Sequence, residues 1–123
     1  MGVCALIVDD SKLARMAVAK ALRTLRPGWM QVEAADADAA FARAQAQTID
    51  IAFLDFNMPG RDGLELAEQL KALTPALAIV MITANSQADI IARAASEGFG
   101  FLAKPFSEPD LDSILKAVAR GLA

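Results

Sequence analysis

The feature that most limits the fold of this chain is a regular alternation of short apolar runs and longer amphipathic stretches. The apolar runs predict buried strands at 4–8, 30–34, 49–54, 76–82 and 99–103. The intervening segments predict helices over 11–26, 36–47, 64–73, 86–97 and 107–122, most of them with turn or cap residues at their ends. Alternation of this kind predicts one α/β domain over residues 1–123, a doubly wound (βα)5 unit with a five-stranded parallel sheet covered on both faces.

The residue types that are rare or missing exclude several classes of function. The net charge of −3 argues against a surface that contacts nucleic acid, because phosphate binding needs clustered Lys and Arg. The single cysteine, Cys4, lies in an apolar run and is expected to be a small core residue. The chain has no histidine, which excludes His-containing catalytic triads, His-ligated zinc and a role as phosphohistidine donor.

The N-terminal segment lacks the pattern of a secretion signal, because no basic region precedes the short apolar run and two aspartates follow it. No apolar run approaches the roughly 20 residues of a membrane span. We therefore expect a cytoplasmic protein without a membrane partner.

Polar residues follow four of the five predicted strands directly. Ligands of open parallel sheets bind beyond the carboxyl ends of the strands, so these side chains should share one edge. They are Asp9 and Asp10 after the first strand, Asp55 and Asn57 after the third, Thr83 and Asn85 after the fourth, and Lys104 with Pro105 after the fifth.

The chemistry of this edge favours phosphoryl transfer. Three carboxylates placed together repel one another, and a divalent cation relieves that repulsion. Oxygen ligands without His or Cys favour Mg²⁺. Lys104 adds a positive charge that can pair with Asp55, and Thr83 offers a hydroxyl donor. An oxygen nucleophile, a metal, a cation and a hydrogen-bond donor are the parts that phosphoryl transfer needs.

Four motifs occur in order along the chain: D-D-S-K-L-A-R from Asp9, L-D-F-N-M-P-G-R-D-G from Leu54, Thr83-Ala84 and Lys104-Pro105. Taken together, they resemble the CheY-like receiver domain of two-component signalling, and the resemblance covers the whole chain. The resemblance implies a flavodoxin-like strand order of 2-1-3-4-5. It also implies that Asp55 accepts a phosphoryl group from a histidine kinase or a histidine phosphotransfer protein.

The resemblance assigns roles to the individual residues as well. Mg²⁺ would be held by Asp9, Asp10, Asp55 and the main-chain carbonyl of Asn57, while Thr83 and Lys104 would hold the phosphoryl oxygens. The Lys104–Pro105 bond is expected to be cis. Phe101 matches the aromatic position that switches together with Thr83, although a plain core aromatic fits the sequence equally well. Asn57 and Asn85 occupy positions that tune the phosphoryl lifetime, and we expect moderate self-dephosphorylation.

Two surfaces are candidates for partner contacts. On the first helix, Met16 projects among basic residues and Leu13 lies at the edge, so these two residues and Pro105 are predicted to dock the phosphodonor protein. On the fourth helix, we predict that Ile91 faces the core. That phase leaves Ile90 on the flank, as a candidate contact for a downstream protein or a dimer.

Three other functions compete with a phosphoacceptor. A haloacid-dehalogenase-type phosphatase would need a second aspartate where Asn57 stands. A receiver-like module that is never phosphorylated would not need the full acidic set with Thr83 and Lys104. The possibility that the chain is a receiver excised from a larger regulator or hybrid kinase stays open.

We expect a phosphoacceptor rather than an enzyme, acting on an unknown protein target as a monomer or a weak phosphorylation-dependent dimer.

Overall fold

The computed structural model describes residues 2–58, 62–84, 88–119 and 122. Ten strands and helices lie among these residues, one for each predicted element. The strands are β1 (Cys4–Val8), β2 (Met30–Ala34), β3 (Ile51–Asp55), β4 (Ala78–Thr83) and β5 (Gly100–Ala103). The helices are α1 (Lys12–Leu25), α2 (Ala37–Ala46), α3 (Gly63–Leu73), α4 (Ala88–Ser96) and α5 (Glu108–Val118).

The five strands form one parallel sheet in the order β2-β1-β3-β4-β5, which confirms the predicted fold and strand order. Successive side chains of a strand point to opposite faces of the sheet. In β1, Ala5 and Ile7 therefore join the core under α1 and α5, whereas Leu6 and Val8 join the core under α2, α3 and α4. Both faces of the sheet are buried, which explains the unbroken apolar runs.

Side-chain caps fix where several helices begin. Ser11, Asp36, Asp62 and Ser107 each accept a hydrogen bond from the main-chain N–H three residues later. Such caps satisfy N–H groups that have no partner inside the helix. All four caps belong to helices (α1, α2, α3 and α5) that directly follow a strand of the parallel sheet. Their N-termini therefore lie at the carboxyl edge of the sheet, and the loops at this edge are held by local chemistry.

The third strand begins and ends later than the sequence predicted. Asp50 lies just before it, and its carboxylate accepts a hydrogen bond from the main-chain N–H of Cys4 at 2.8 Å. Asp55 is the last residue of β3 and pairs in register with Ile82 of β4. The candidate nucleophile is thus held on a central strand, not on a loop.

No helix within the described part of the chain is long and apolar enough to cross a membrane.

Candidate functional site

An acidic cluster lies at the carboxyl edge of the sheet. Asp9 follows β1 and is buried, Asp10 comes next and is exposed, and Asp55 is buried at the end of β3. One carboxylate oxygen from each of the three lies within 4.8 Å of the others. The structure therefore brings together the three carboxylates that the sequence placed at this edge.

Asp9 is held by hydrogen bonds to both its side chain and its main chain. Its Oδ1 accepts the main-chain N–H of Ser11 at 2.9 Å, and its Oδ2 accepts a hydrogen bond from Lys104 Nζ at 2.8 Å. Its own N–H donates to the carbonyl of Ala34 at 3.2 Å, and its carbonyl accepts from Arg15 Nη1 at 2.6 Å. The position of this carboxylate is consequently fixed before any ligand binds.

Lys104 bridges the two buried carboxylates. Its Nζ lies 2.8 Å from Asp9 Oδ2 and 3.6 Å from Asp55 Oδ1, so the expected pairing with Asp55 is present but the shorter contact is to Asp9. Burial lowers the pKa of Lys104, but the hydrogen bond from Lys104 to Asp9 and the charges of both aspartates outweigh it and raise the pKa overall. Lys104 therefore stays a cation. The peptide bond to Pro105 is cis, as predicted.

The surroundings of Asp55 disfavour the ionised form of its carboxyl group. Burial raises its pKa above the ordinary value, and the negative charge of Asp9 raises it further. The charge of Lys104 and the main-chain N–H of Asn57, which donates to the carboxylate, act in the opposite direction. A carboxylate that is poorly solvated and only partly neutralised is well suited to attack an electrophile or to bind a cation.

Thr83 and Asn57 are in direct contact. Thr83 is fully buried at the end of β4, and Asn57 Nδ2 donates a hydrogen bond to its Oγ1 at 3.2 Å. The main-chain carbonyl of Thr83 also accepts the N–H of Lys104 at 3.0 Å, which joins the ends of β4 and β5. Asn85, the second predicted tuning residue, lies outside the described residues.

No role was predicted for Gly63, yet the site depends on it. A Cβ at this position would lie 2.5 Å from the carbonyl oxygen of Asp55 and 2.9 Å from Cα of Phe56. The N–H of Gly63 donates to the carbonyl of Phe56 at 2.9 Å. Only glycine lets α3 begin so close to the end of β3. A glycine directly after the cap residue Asp62 was the available sequence signal.

The comparisons with known proteins agree with this geometry. Residues 5–116 match the family described as the response regulator receiver domain. The chain belongs to that family. Receiver domains are the response-regulator component of two-component systems, and they typically bind Mg²⁺ at an acidic pocket and carry a phosphoaspartate.

Individual relatives support the same assignment. Transcriptional regulatory protein PdtaR of Mycobacterium tuberculosis is 39% identical over 120 residues, covering 94% of this chain and 56% of that protein. PhoB of Pseudomonas aeruginosa, a phosphate regulon transcriptional regulatory protein, is 36% identical over 123 residues, covering 98% and 53%. The structure of Vibrio cholerae chemotaxis protein CheY4 superposes with a TM-score of 0.85 at 29% identity, covering 96% and 99% of the two chains. The receiver spans about half the length of these two curated relatives.

The donor set of this receiver fits the magnesium ion that its family binds. Asp9, Asp10 and Asp55 offer only hard oxygen ligands, converge within 4.8 Å and gain from a cation that offsets their mutual repulsion. The contribution of the main-chain carbonyl of Asn57 stays a prediction.

An apolar groove of about 590 Å³ runs beside the site between α1 and the segment after β5. Leu13 and Met16 on α1 are 78% and 51% exposed, and Pro105 is exposed as well. The three residues predicted to dock the phosphodonor protein are therefore accessible, although their role in docking stays a prediction. The groove is lined by Ala14, Ala17, Val18, Lys20, Ala21, Ala84, Lys104, Pro105, Phe106 and Glu108.

The prediction for Ile90 was wrong. Ile90 is buried at 5% exposure together with Ala94 one turn later, whereas Ile91 faces solvent. Alanines on every side of α4 and two adjacent isoleucines left the helical phase ambiguous by one residue. Ile90 is a core residue and cannot contact a partner in this conformation. Phe101 is half-buried and packs against the core under α2, α3 and α4, and its switching role stays a prediction.

Proposed function

We propose that this receiver accepts a phosphoryl group onto Asp55 from a phosphohistidine of a histidine kinase or a histidine phosphotransfer protein. The single observation that carries the proposal is the setting of Asp55. It is a buried carboxylate within a cluster of three, with the cationic Nζ of Lys104 at 3.6 Å. Family membership supplies the partner class, since receiver domains interact with kinases or phosphotransfer proteins.

In the proposed step, a carboxylate oxygen of Asp55 attacks phosphorus and forms a P–O bond. The P–N bond of the phosphohistidine breaks, and its electron pair returns to the imidazole nitrogen, which takes a proton from water. Lys104 and the hydroxyl of Thr83 would stabilise the phosphoryl oxygens by charge and hydrogen bonding. At Asp9, Asp10 and Asp55, a bound Mg²⁺ would neutralise the converging negative charges.

We further propose that the chain is a phosphoacceptor that promotes its own phosphorylation and dephosphorylation and that it has no separate substrate. Hydrolysis of the acyl phosphate requires a water molecule aligned with phosphorus. Asn57 is exposed and anchored to Thr83, so its neutral carboxamide can orient such a water without adding repulsive charge.

The groove beside α1 is the surface we propose for docking the phosphodonor protein. It is apolar, exposed Leu13 and Met16 lie on the same helix, and its lining includes Ala84 and Lys104 of the acceptor site. A helix lying in this groove could carry its phosphohistidine towards Asp55. Signalling would then proceed by phosphorylation-dependent binding of a downstream protein.

The test is incubation with acetyl phosphate and Mg²⁺ followed by intact mass measurement. We expect the wild type to gain one phosphoryl group, and Asp55→Asn or chelation with EDTA to abolish the gain. Asp112→Asn is the matched control, because this aspartate lies on α5 and pairs with Arg26 and Lys116, not with the acidic cluster. Equal phosphorylation of the Asp55→Asn variant would refute the proposal.

A further inference from the structure

Arg15 connects the acidic cluster to the edge strand of the sheet. Its Nη1 donates to the main-chain carbonyl of Asp9 at 2.6 Å, and its Nε donates to Glu33 Oε1 of β2 at 2.9 Å. The side chain of Arg15 is 15% exposed, whereas that of Glu33 is 46% exposed. A half-exposed ion pair contributes little to stability, so these contacts call for an explanation other than holding the fold together.

The carbonyl that Arg15 holds belongs to the peptide that joins Asp9 to Asp10. Fixing this peptide plane fixes the direction in which the chain continues to Asp10. The Asp10 side chain is exposed and makes no hydrogen bond or ion pair with other described residues. Its carboxylate nevertheless lies within 4.8 Å of the other two. Among the described residues, it is therefore the main chain that keeps Asp10 directed at the cluster.

We infer that Arg15 is a positioning residue for the magnesium site, which acts on Asp10 through the Asp9–Asp10 peptide. Glu33 orients the guanidinium by binding Nε, which leaves Nη1 directed at the carbonyl. Lysine cannot replace this arrangement, because a single ammonium does not present two donors in a fixed fork. The inference rests on the proposed metal site but not on phosphoryl transfer itself.

The test measures Mg²⁺ affinity of the full chain by isothermal titration calorimetry, without any phosphodonor. Loss of an outer-sphere partner typically weakens metal binding about 10–100-fold. We expect about a 10-fold higher dissociation constant for both Arg15→Ala and Arg15→Lys. Arg26→Ala should leave the Mg²⁺ dissociation constant unchanged. Arg26 follows the C-terminal end of α1, away from the acidic cluster, and pairs with Asp112.

A double-mutant cycle separates positioning from general structural damage. In an Asp10→Ala background, Arg15→Ala should weaken Mg²⁺ binding less than twofold, because the residue through which Arg15 acts is already missing. Urea unfolding without metal should give near-equal stabilities for Arg15→Lys and the wild type.

An undiminished 10-fold effect in the Asp10→Ala background, or wild-type affinity in Arg15→Ala, would overturn the inference. Absence of Mg²⁺ binding by the wild type would overturn it together with the metal site. Normal Mg²⁺ binding with no phosphorylation would refute only the proposed function.

Discussion

Asn57 Nδ2 donates a hydrogen bond to Thr83 Oγ1 across 3.2 Å, so the loop after β3 is tied to the end of β4 beside the candidate acceptor. Thr83 is fully buried, whereas Asn57 is exposed. The contact places a neutral carboxamide at the entrance to the site and restrains the hydroxyl that would meet a phosphoryl group. Both effects bear on how long a phosphoryl group survives.

Replacing Asn57 by leucine should slow the loss of phosphate from the phosphorylated protein. Leucine cannot orient a water molecule, and its bulk shields phosphorus. One lost hydrogen bond of about 1 kcal/mol corresponds to roughly a fivefold slower decay. The decay is followed by intact mass after acetyl phosphate is removed. An unchanged decay rate would show that the carboxamide has no part in hydrolysis.

Replacing Lys104 by methionine should separate metal binding from phosphoryl transfer. The variant loses the cation that lies between Asp9 and Asp55, so Mg²⁺ should bind at least as tightly as in the wild type. Transfer from acetyl phosphate should fall about 100-fold, as is typical when one donor to a developing charge is removed. Calorimetry and the rate of mass gain measure the two effects. Parallel loss of both would contradict the role given to Lys104.

Asp55→Asn should stabilise the metal-free protein at neutral pH. Burial and the charge of Asp9 raise the pKa of Asp55 in the folded state above its unfolded value. The stability associated with protonated Asp55 is therefore fully present below the unfolded pKa and is lost as the pH rises through the folded pKa. The neutral amide avoids that loss, so the free energy of unfolding should be higher for the variant than for the wild type at neutral pH.

Urea unfolding in EDTA at a series of pH values measures this difference. The advantage of the Asn variant should be greatest at neutral pH and should shrink on acidification, because the wild-type carboxyl is then protonated in both states. A difference between wild type and variant that stays constant with pH would contradict the assigned cause.

Gly63→Ala should destabilise the domain and disturb the acceptor. The new Cβ would meet the Asp55 carbonyl oxygen at 2.5 Å, and main chain must move to relieve the overlap. Forcing extra volume into a packed site costs about 1–3 kcal/mol. Gly28→Ala is the control, because its Cβ would have no atom within 4 Å and should change the free energy of unfolding little. Chemical unfolding compares the two variants, and equal stabilities would contradict the account.

The fold was predictable because the alternation of apolar runs and amphipathic stretches is visible locally and repeats along the chain. Runs such as Cys4–Val8 are apolar on both faces, and in a chain that alternates strands with helices this pattern is typical of parallel strands covered on both faces. The acidic cluster followed from the same pattern, since the carboxyl ends of parallel strands share one edge. The phase of α4 was not predictable, because Ile90 and Ile91 are adjacent and their alanine neighbours fit either face.

Contacts between residues that are distant along the chain but close in the fold could not be predicted from the sequence either. Arg15 lies in the motif that follows the acidic pair, but its bond to the Asp9 carbonyl depends on where β2 places Glu33. The role of Gly63 depends on how closely α3 approaches β3, and no spacing along the chain reveals that distance.

The most direct test of the central claim is to locate the phosphoryl group on the chain. After reaction with acetyl phosphate and Mg²⁺, borohydride reduces an acyl phosphate of aspartate to homoserine, and peptide mass spectrometry then identifies the modified residue. The structure predicts homoserine at position 55 alone, and none when Mg²⁺ is chelated. Homoserine at position 9 or 10, or no modified aspartate in protein that has gained a phosphoryl group, would contradict the assignment of Asp55 as the acceptor.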